Sequence, residues 1–144
     1  MDEDILVAPP EYKLYKDRPI YIATFLGGPL VAGYLIAENY RKLGESSKVW
    51  KTWLFTGLAT ILIFGYVFFI QSAGSPSYLV PLLYSLITAY LVKWLQGDRI
   101  KLHQKNMGEF YSIWRALVVS LIGAVVTVGI AVIFLFATDA SKFG

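Results

Sequence analysis

The chain predicts an all-α integral membrane protein with four transmembrane helices and short loops, and three observations carry that prediction. Four apolar stretches, Pro19–Ala37, Trp53–Ile70, Tyr78–Val92 and Ala116–Ala137, fill most of the 144 residues, and none holds a charged side chain. Mean hydropathy is +0.55, and 56% of the residues are hydrophobic. Only 16% are charged, against about 25% in a typical soluble domain, and these lie almost wholly between the stretches. A buried soluble core would need helices with a polar outer face, and the second and fourth stretches have none.

Each stretch is judged against a hydrocarbon core about 30 Å thick, which takes about 20 helical residues. The first and fourth supply 19 and 22 residues; the second and third supply 18 and 15. Flanking Trp, Tyr and snorkelling Lys extend the two shorter ones. One membrane domain over residues 19–138 follows, between an N-terminal interfacial tail, 1–18, and a C-terminal tail, 139–144. Its helices are expected at about 19–43, 47–72, 76–96 and 109–138, with a short cytoplasmic helix at about 98–106. The acidic start MDEDILVAPPEYK lacks the basic, apolar and small-residue regions of a signal peptide, so it is expected to be retained.

The first stretch contains Gly27-Gly28-Pro29 at its middle. Pro29 has no N–H for the carbonyl of Phe25, and two glycines precede it. A span kinked at this helix break is the reading adopted, because its length suits a full crossing. The alternative is a re-entrant helix–turn–helix that returns to the side it entered. Beyond the stretch, Glu38 stands at pairing distance from Arg41 and Lys42, which carries the helix to about Leu43. Gly44 suits a C-terminal stop, and Ser46 or Ser47 an N-cap for the second helix. Ser75 as cap and Pro76 at the first helical position would join the second and third helices as a tight antiparallel hairpin. Asp98 is placed as the cap of the short helix, and Gly108 as its end.

Charge placement sets orientation. With four spans, the first and third loops share a side and hold nine of the thirteen Lys and Arg residues. The positive-inside rule puts loops 38–51 and 93–115 in the cytoplasm and both termini outside. The re-entrant alternative would bring Lys13, Lys16 and Arg18 inside as well. Trp50, Trp53, Trp94 and Trp114 lie beside Lys51, Lys93 and Arg115, and the seven are assigned as interface anchors, since indole rings favour the headgroup level.

Chemistry is sparse. No ionisable residue falls within any stretch, whereas proton-coupled transporters keep one at membrane depth. The hydroxyls of Thr24, Thr56, Thr60, Ser85, Thr88, Ser120 and Thr127 read first as helix-packing groups. Small residues are clearer packing signals: Ala116, Ser120 and Ala124 form one stripe on the last helix, with Gly123 and Thr127 beside it. Gly57 and Gly65 mark a face of the second helix. No cysteine is present, which removes disulfides and thiolate chemistry, and His103 is a lone histidine, so no metal or other cofactor is expected. Glu38, Asn39, Asp98, Arg99, His103 and Glu109 could converge on the cytoplasmic face, as an enzyme acting on lipid headgroups would require, but show no catalytic spacing.

The run Phe25-Leu-Gly-Gly-Pro-Leu-Val-Ala-Gly-Tyr-Leu-Ile-Ala-Glu-Asn-Tyr40, with Val92–Leu102 and Gly108–Arg115, resembles small multi-span bacterial membrane proteins of unknown function. The resemblance implies a bacterial cytoplasmic membrane and no particular activity. The function expected is that of a non-enzymatic accessory or assembly subunit acting through helix packing. A small oligomeric transporter or channel is the alternative, and a lipid-headgroup-modifying enzyme the third. Expected partners are the bilayer, anionic headgroups at the basic loops, and a second copy or a membrane-complex subunit, with no nucleic acid.

Overall fold

The computed structural model describes residues 9–71, 74 and 78–142. Among them lie five helices: α1 (Asp17–Gly27), α2 (Pro29–Lys42), α3 (Ser46–Phe69), α4 (Leu79–Lys105) and α5 (Ile113–Lys142). The protein is all-helical in these residues apart from an isolated bridge between Leu14 and Phe110. Three helices are long and apolar enough to cross a membrane: α3, α4 and the Ile113–Asp139 part of α5. The expected fourth span is not among them.

The first stretch is two helices folded back on each other, not one kinked span over 19–43. A continuous helix would separate Tyr15 from Asn39 by about 36 Å. Instead the Asn39 carboxamide accepts a hydrogen bond from the Tyr15 N–H at 2.7 Å and donates to the Tyr15 carbonyl at 2.9 Å. The reversal is local. Gly28 adopts φ 99°, ψ 176°, a conformation open to glycine and costly for other residues. Its N–H closes the last turn of α1 on the Thr24 carbonyl at 2.9 Å. Pro29 then starts α2, where a missing N–H costs nothing.

This hairpin is the hub of the molecule. Ile20, Ala23, Thr24 and Gly27 make one buried stripe on α1, and α2 is buried on most of its circumference from Val31 to Tyr40. Helix α3 packs on α2, while α4 and α5 pack chiefly on α1. Among the described residues the three long helices scarcely touch one another, save where Phe68 and Phe69 meet the Phe134 ring at 4.9 and 6.2 Å. The expected tight hairpin of the second and third helices is therefore replaced by packing of each on the central element. Ser75 and Pro76 lie outside the described residues.

Other boundaries also move. Helix α3 runs Ser46–Phe69, with Glu45 rather than a serine at its N-cap and no side-chain cap bond. Gly44 does end the preceding turn, at φ 77°. The separate helix at 98–106 does not exist, because α4 passes through Gly97 and Asp98 without a break. Its buried stripe explains why: Ser85, Thr88, Val92, Gln96, Ile100 and His103 recur at three and four residues along one face, and that continuous contact outweighs the roughly 1 kcal/mol cost of an interior glycine. Helix α4 ends instead at Asn106, with Met107 at φ 60°, and Gly108 fits against the His103 ring where a Cβ would collide.

Candidate functional site

Two regions of the molecule carry features that ask for a role: a polar layer at the end where the hairpin closes, and an apolar cleft beyond its tip. The polar layer is built from the hairpin outward. Asn39, in the last turns of α2, is buried, as is Gln96 on α4. Asn39 donates to the Gln96 Oε1 at 3.1 Å, and Gln96 donates to the Ile36 carbonyl at 3.1 Å. With Tyr15 these bonds tie the N-terminal segment, α2 and α4 into one plane. Tyr15 is fully buried; Arg115 of α5 donates from Nε to its hydroxyl at 3.1 Å and lies over the Tyr111 ring at 4.4 Å. A planar guanidinium suits this double role of donor and stacked cation.

His103 anchors the other side of the layer. Its Nε2 lies 2.7 Å from the Glu109 carbonyl, which can only accept, so Nε2 carries the proton. Nδ1 is buried with no hydrogen-bond partner among the described residues. Tyr12 stacks on the ring at 5.2 Å and Phe110 meets it edge-on at 5.0 Å. The N-terminal segment is thus pinned twice, at Tyr12 and Tyr15, across the ends of α2, α4 and α5.

The expected polar cluster converges only in part: His103 meets Glu109 through its backbone carbonyl, and the charged side chains pair with other partners. Glu38 pairs with Arg41 on its own helix, as their spacing predicts. Arg99 pairs with Glu45, which also bonds Lys48 at 3.1 Å, while Asp98 is exposed. Glu109 reaches Lys13 at 3.6 Å with both side chains largely in solvent, a pair worth little. Glu45 was not singled out from the sequence, yet it links α3 to α4. Burial pushes its carboxyl up, but the bonds to Lys48 and Arg99 outweigh that and hold it below its ordinary value of 4.5. Asn39 belongs to the polar cluster expected at this face, but its partner Gln96, 57 residues away, is an ordinary polar residue in the sequence and nothing there announces the pairing.

Toward the tip, small residues allow close approach. A Cβ at Gly27 would strike the backbone of Ser120, one at Gly33 the side chain of Thr56, and one at Gly123 the side chain of Val31. Thr127 donates to the Gly27 carbonyl at 3.3 Å. Ala116 and Ser120 are buried on the same face, and Ala124 half-buried. Gly57 and Gly65 differ: nothing within 4 Å would meet a Cβ at either. They border an apolar cleft of about 470 Å³ between α3, α5 and the hairpin tip, lined also by Leu30, Thr60, Phe64 and Phe134. Trp50, Trp53, Trp94 and Trp114 are all exposed at the polar end, with Lys51 and Lys93 beside them.

Comparison of the chain with protein-family models, with curated proteins and with solved structures gives no match in any of the three.

Two outcomes follow from the polar layer. Asn39→Leu strips partners from the Tyr15 N–H and the Gln96 amide, at about 1–3 kcal/mol for each buried group left unpaired. Denaturant titration in micelles should show that loss, and Asn39→Leu with Gln96→Leu should cost less than the sum of the two. For Glu45 the folded carboxyl is the stronger acid, so its stabilisation is complete above the unfolded value and fades as the pH falls through the lowered one. Thermal midpoints of the wild type and Glu45→Gln should therefore differ at neutral pH and converge in acid.

Proposed function

We propose that this chain is a non-enzymatic integral membrane protein of a bacterial cytoplasmic membrane, with three spans and one re-entrant hairpin, acting as an accessory subunit through its outer helix faces. Charge supports the placement. The hairpin returns to its starting side, so Lys13, Lys16 and Arg18 join the cations of the two basic loops. Twelve of the thirteen Lys and Arg residues then share one face, with Lys142 alone at the far end. By the positive-inside rule that face is cytoplasmic, and its exposed lysines suit anionic headgroups.

The observation that carries the subunit reading is how little of the spans is used internally. Only 6% of the most apolar part of α5 and 11% of that of α3 is buried within the protein. On α5, Gly129 lies exposed among Leu121, Val125, Val128 and Val132, with open space where its Cβ would be. A glycine there lowers helix propensity with no internal contact in return, while a neighbouring helix could approach closely across it. The hydroxyls of Thr24, Thr60, Ser85, Thr88 and Ser120 bond carbonyls of their own helices, which leaves few groups for a polar path.

One feature favours transport as the second reading: a helix broken at membrane depth, with Gly27–Gly28–Pro29 at the break. Transporters place such breaks where ions or substrates bind. Here Gly27 and Gly28 are buried in protein, and the nearest cleft is apolar.

Cysteines placed singly at Tyr12, Gly74 and Ser112 test the topology in intact vesicles. Tyr12 and Ser112 should label from one side and Gly74 from the other; opposite labelling of Tyr12 and Ser112 would restore a full first span. Subunit counting by single-molecule photobleaching in bilayers tests the role. Complexes reduced to single copies by Gly129→Leu, with no solute flux from proteoliposomes, support the subunit reading. Wild-type monomers with measurable flux would replace it by transport.

A further inference from the structure

We propose that His103 is a pH-operated latch: its neutral ring holds residues 9–13 against the end of α4, and its protonation releases them while Leu14 and Tyr15 stay docked. The inference goes beyond the subunit reading and is independent of any membrane placement. Composition isolates the group. The chain has one histidine and no cysteine, and histidine is the side chain whose ordinary titration falls between about pH 5 and 8. A side-chain charge that switches in that range therefore belongs at one ring.

That ring is walled in. His103 is 3% exposed, and its Nε2–H donates to the Glu109 carbonyl at 2.7 Å. Protonation would add a second N–H at Nδ1, which is buried with no hydrogen-bond partner among the described residues. A buried donor without an acceptor is costly, and more so when it carries charge. Tyr12 and Phe110 can attract a cation to their ring faces, but that attraction leaves the new N–H without an acceptor.

The charges of the surrounding elements do not compensate. Lys13 and Lys16 come from the N-terminal segment, Arg18 from the start of α1, Lys105 from α4 and Arg115 from the start of α5, against Asp17 and Glu109. Glu109 is paired with Lys13, and on α2 Glu38 is paired with Arg41. Lys16 already lies over the Phe110 ring at 4.7 Å. A charged imidazole would thus join a cationic surplus.

The wall that can yield is Tyr12. Gly108 fits so closely against the ring that a Cβ would collide, and Phe110 is bridged to Leu14. Tyr12 is 37% exposed and lies outside any helix, stacked on the imidazole at 5.2 Å. Its neighbour Lys13 adds only the solvent-exposed pair with Glu109, which is worth little. Two residues on, attachment is of another kind. The Leu14 carbonyl accepts from the Tyr111 N–H at 2.9 Å, and Asn39 takes both backbone groups of Tyr15. None of those groups titrates. Lifting Tyr12 off the ring would give Nδ1 water as its acceptor, so protonation and release favour each other. The latch is closed toward the alkaline end of the histidine range and opens toward the acid end.

Nitroxides test this, since every cysteine in the chain would be an introduced one. A pair at Glu11→Cys and Lys101→Cys reports the segment, and a pair at Lys101→Cys and Ser112→Cys reports the framework beneath it. Distances are read in nanodiscs by pulsed electron paramagnetic resonance, beside an NMR titration of the single imidazole. Between about pH 8 and pH 5.5 the first pair should lose its narrow distance with the midpoint of the ring, while the second pair keeps its own. His103→Phe, which still stacks on Tyr12 but cannot charge, should stay narrow at both values. A ring that titrates while the first distance holds, or that never titrates, would overturn the latch, and this comparison needs only the wild-type ring. Broadening of both pairs would overturn it as well, by showing general unfolding. Acid release in His103→Phe would do the same, moving the effect to the Lys13–Glu109 pair.

Discussion

A chain that folds back on itself has to satisfy the backbone groups freed at the turn and hold its two arms together where they end, and both demands fall on α1 and α2. Each peptide group left unpaired in hydrocarbon costs several kcal/mol. At the turn, Gly28 closes α1 on Thr24, Thr127 reaches the Gly27 carbonyl, and Pro29 removes one donor outright. Where the arms emerge, the Asn39 carboxamide takes both backbone groups of Tyr15. Since the long helices rest on this hairpin and scarcely on one another, losing its closure would leave them without a common surface.

The core around the hairpin is apolar, but the long helices turn many small and polar residues inward. Inward faces carry Thr56 and Thr60 on α3, Ser85, Thr88 and Gln96 beside Val92 and Ile100 on α4, and Ala116 and Ser120 on α5. Outward faces carry Leu, Ile, Val and Phe. Lipid gives apolar side chains no reason to gather, so association depends on close backbone approach and hydrogen bonds. Gly33 against Thr56 and Gly123 against Val31 are instances of the first; Asn39 with Gln96 is an instance of the second.

Much of this was legible in the sequence, and the part that was not has a common cause. Composition and charge spacing located the three long apolar helices, and Gly27-Gly28-Pro29 marked the break. Length then pointed to a crossing, because 19 residues suit a bilayer, although the basic N-terminal tail pointed to a return. The two arms fold back on each other, so length misled, because it reports only how far a segment could reach. Asn39, Gln96 and Tyr15 are far apart in sequence and ordinary alone, and no local pattern announces their contact. The same holds for Gly97 and Asp98, whose local preference for a break yields to the buried stripe that runs through them from Val92 to His103. Gly57 and Gly65 illustrate the converse, for they read as internal packing positions and instead face an open slot.

The two ends of the molecule are consequently unlike. At the basic end the N-terminal segment, α2, α4 and α5 are joined by hydrogen bonds and stacked rings, and Glu45 ties in α3 through Arg99. Beyond the hairpin tip, among the described residues, no helix stands between the long ones, and phenylalanine rings make the contact there. A hairpin shorter than the long helices holds them apart at one end, and helices spaced to admit its two arms there cannot converge at the other end without bending. Nothing in α3 or α5 supplies a proline for such a bend. The hairpin that organises the basic end is therefore also what leaves the described residues of the opposite end with few contacts.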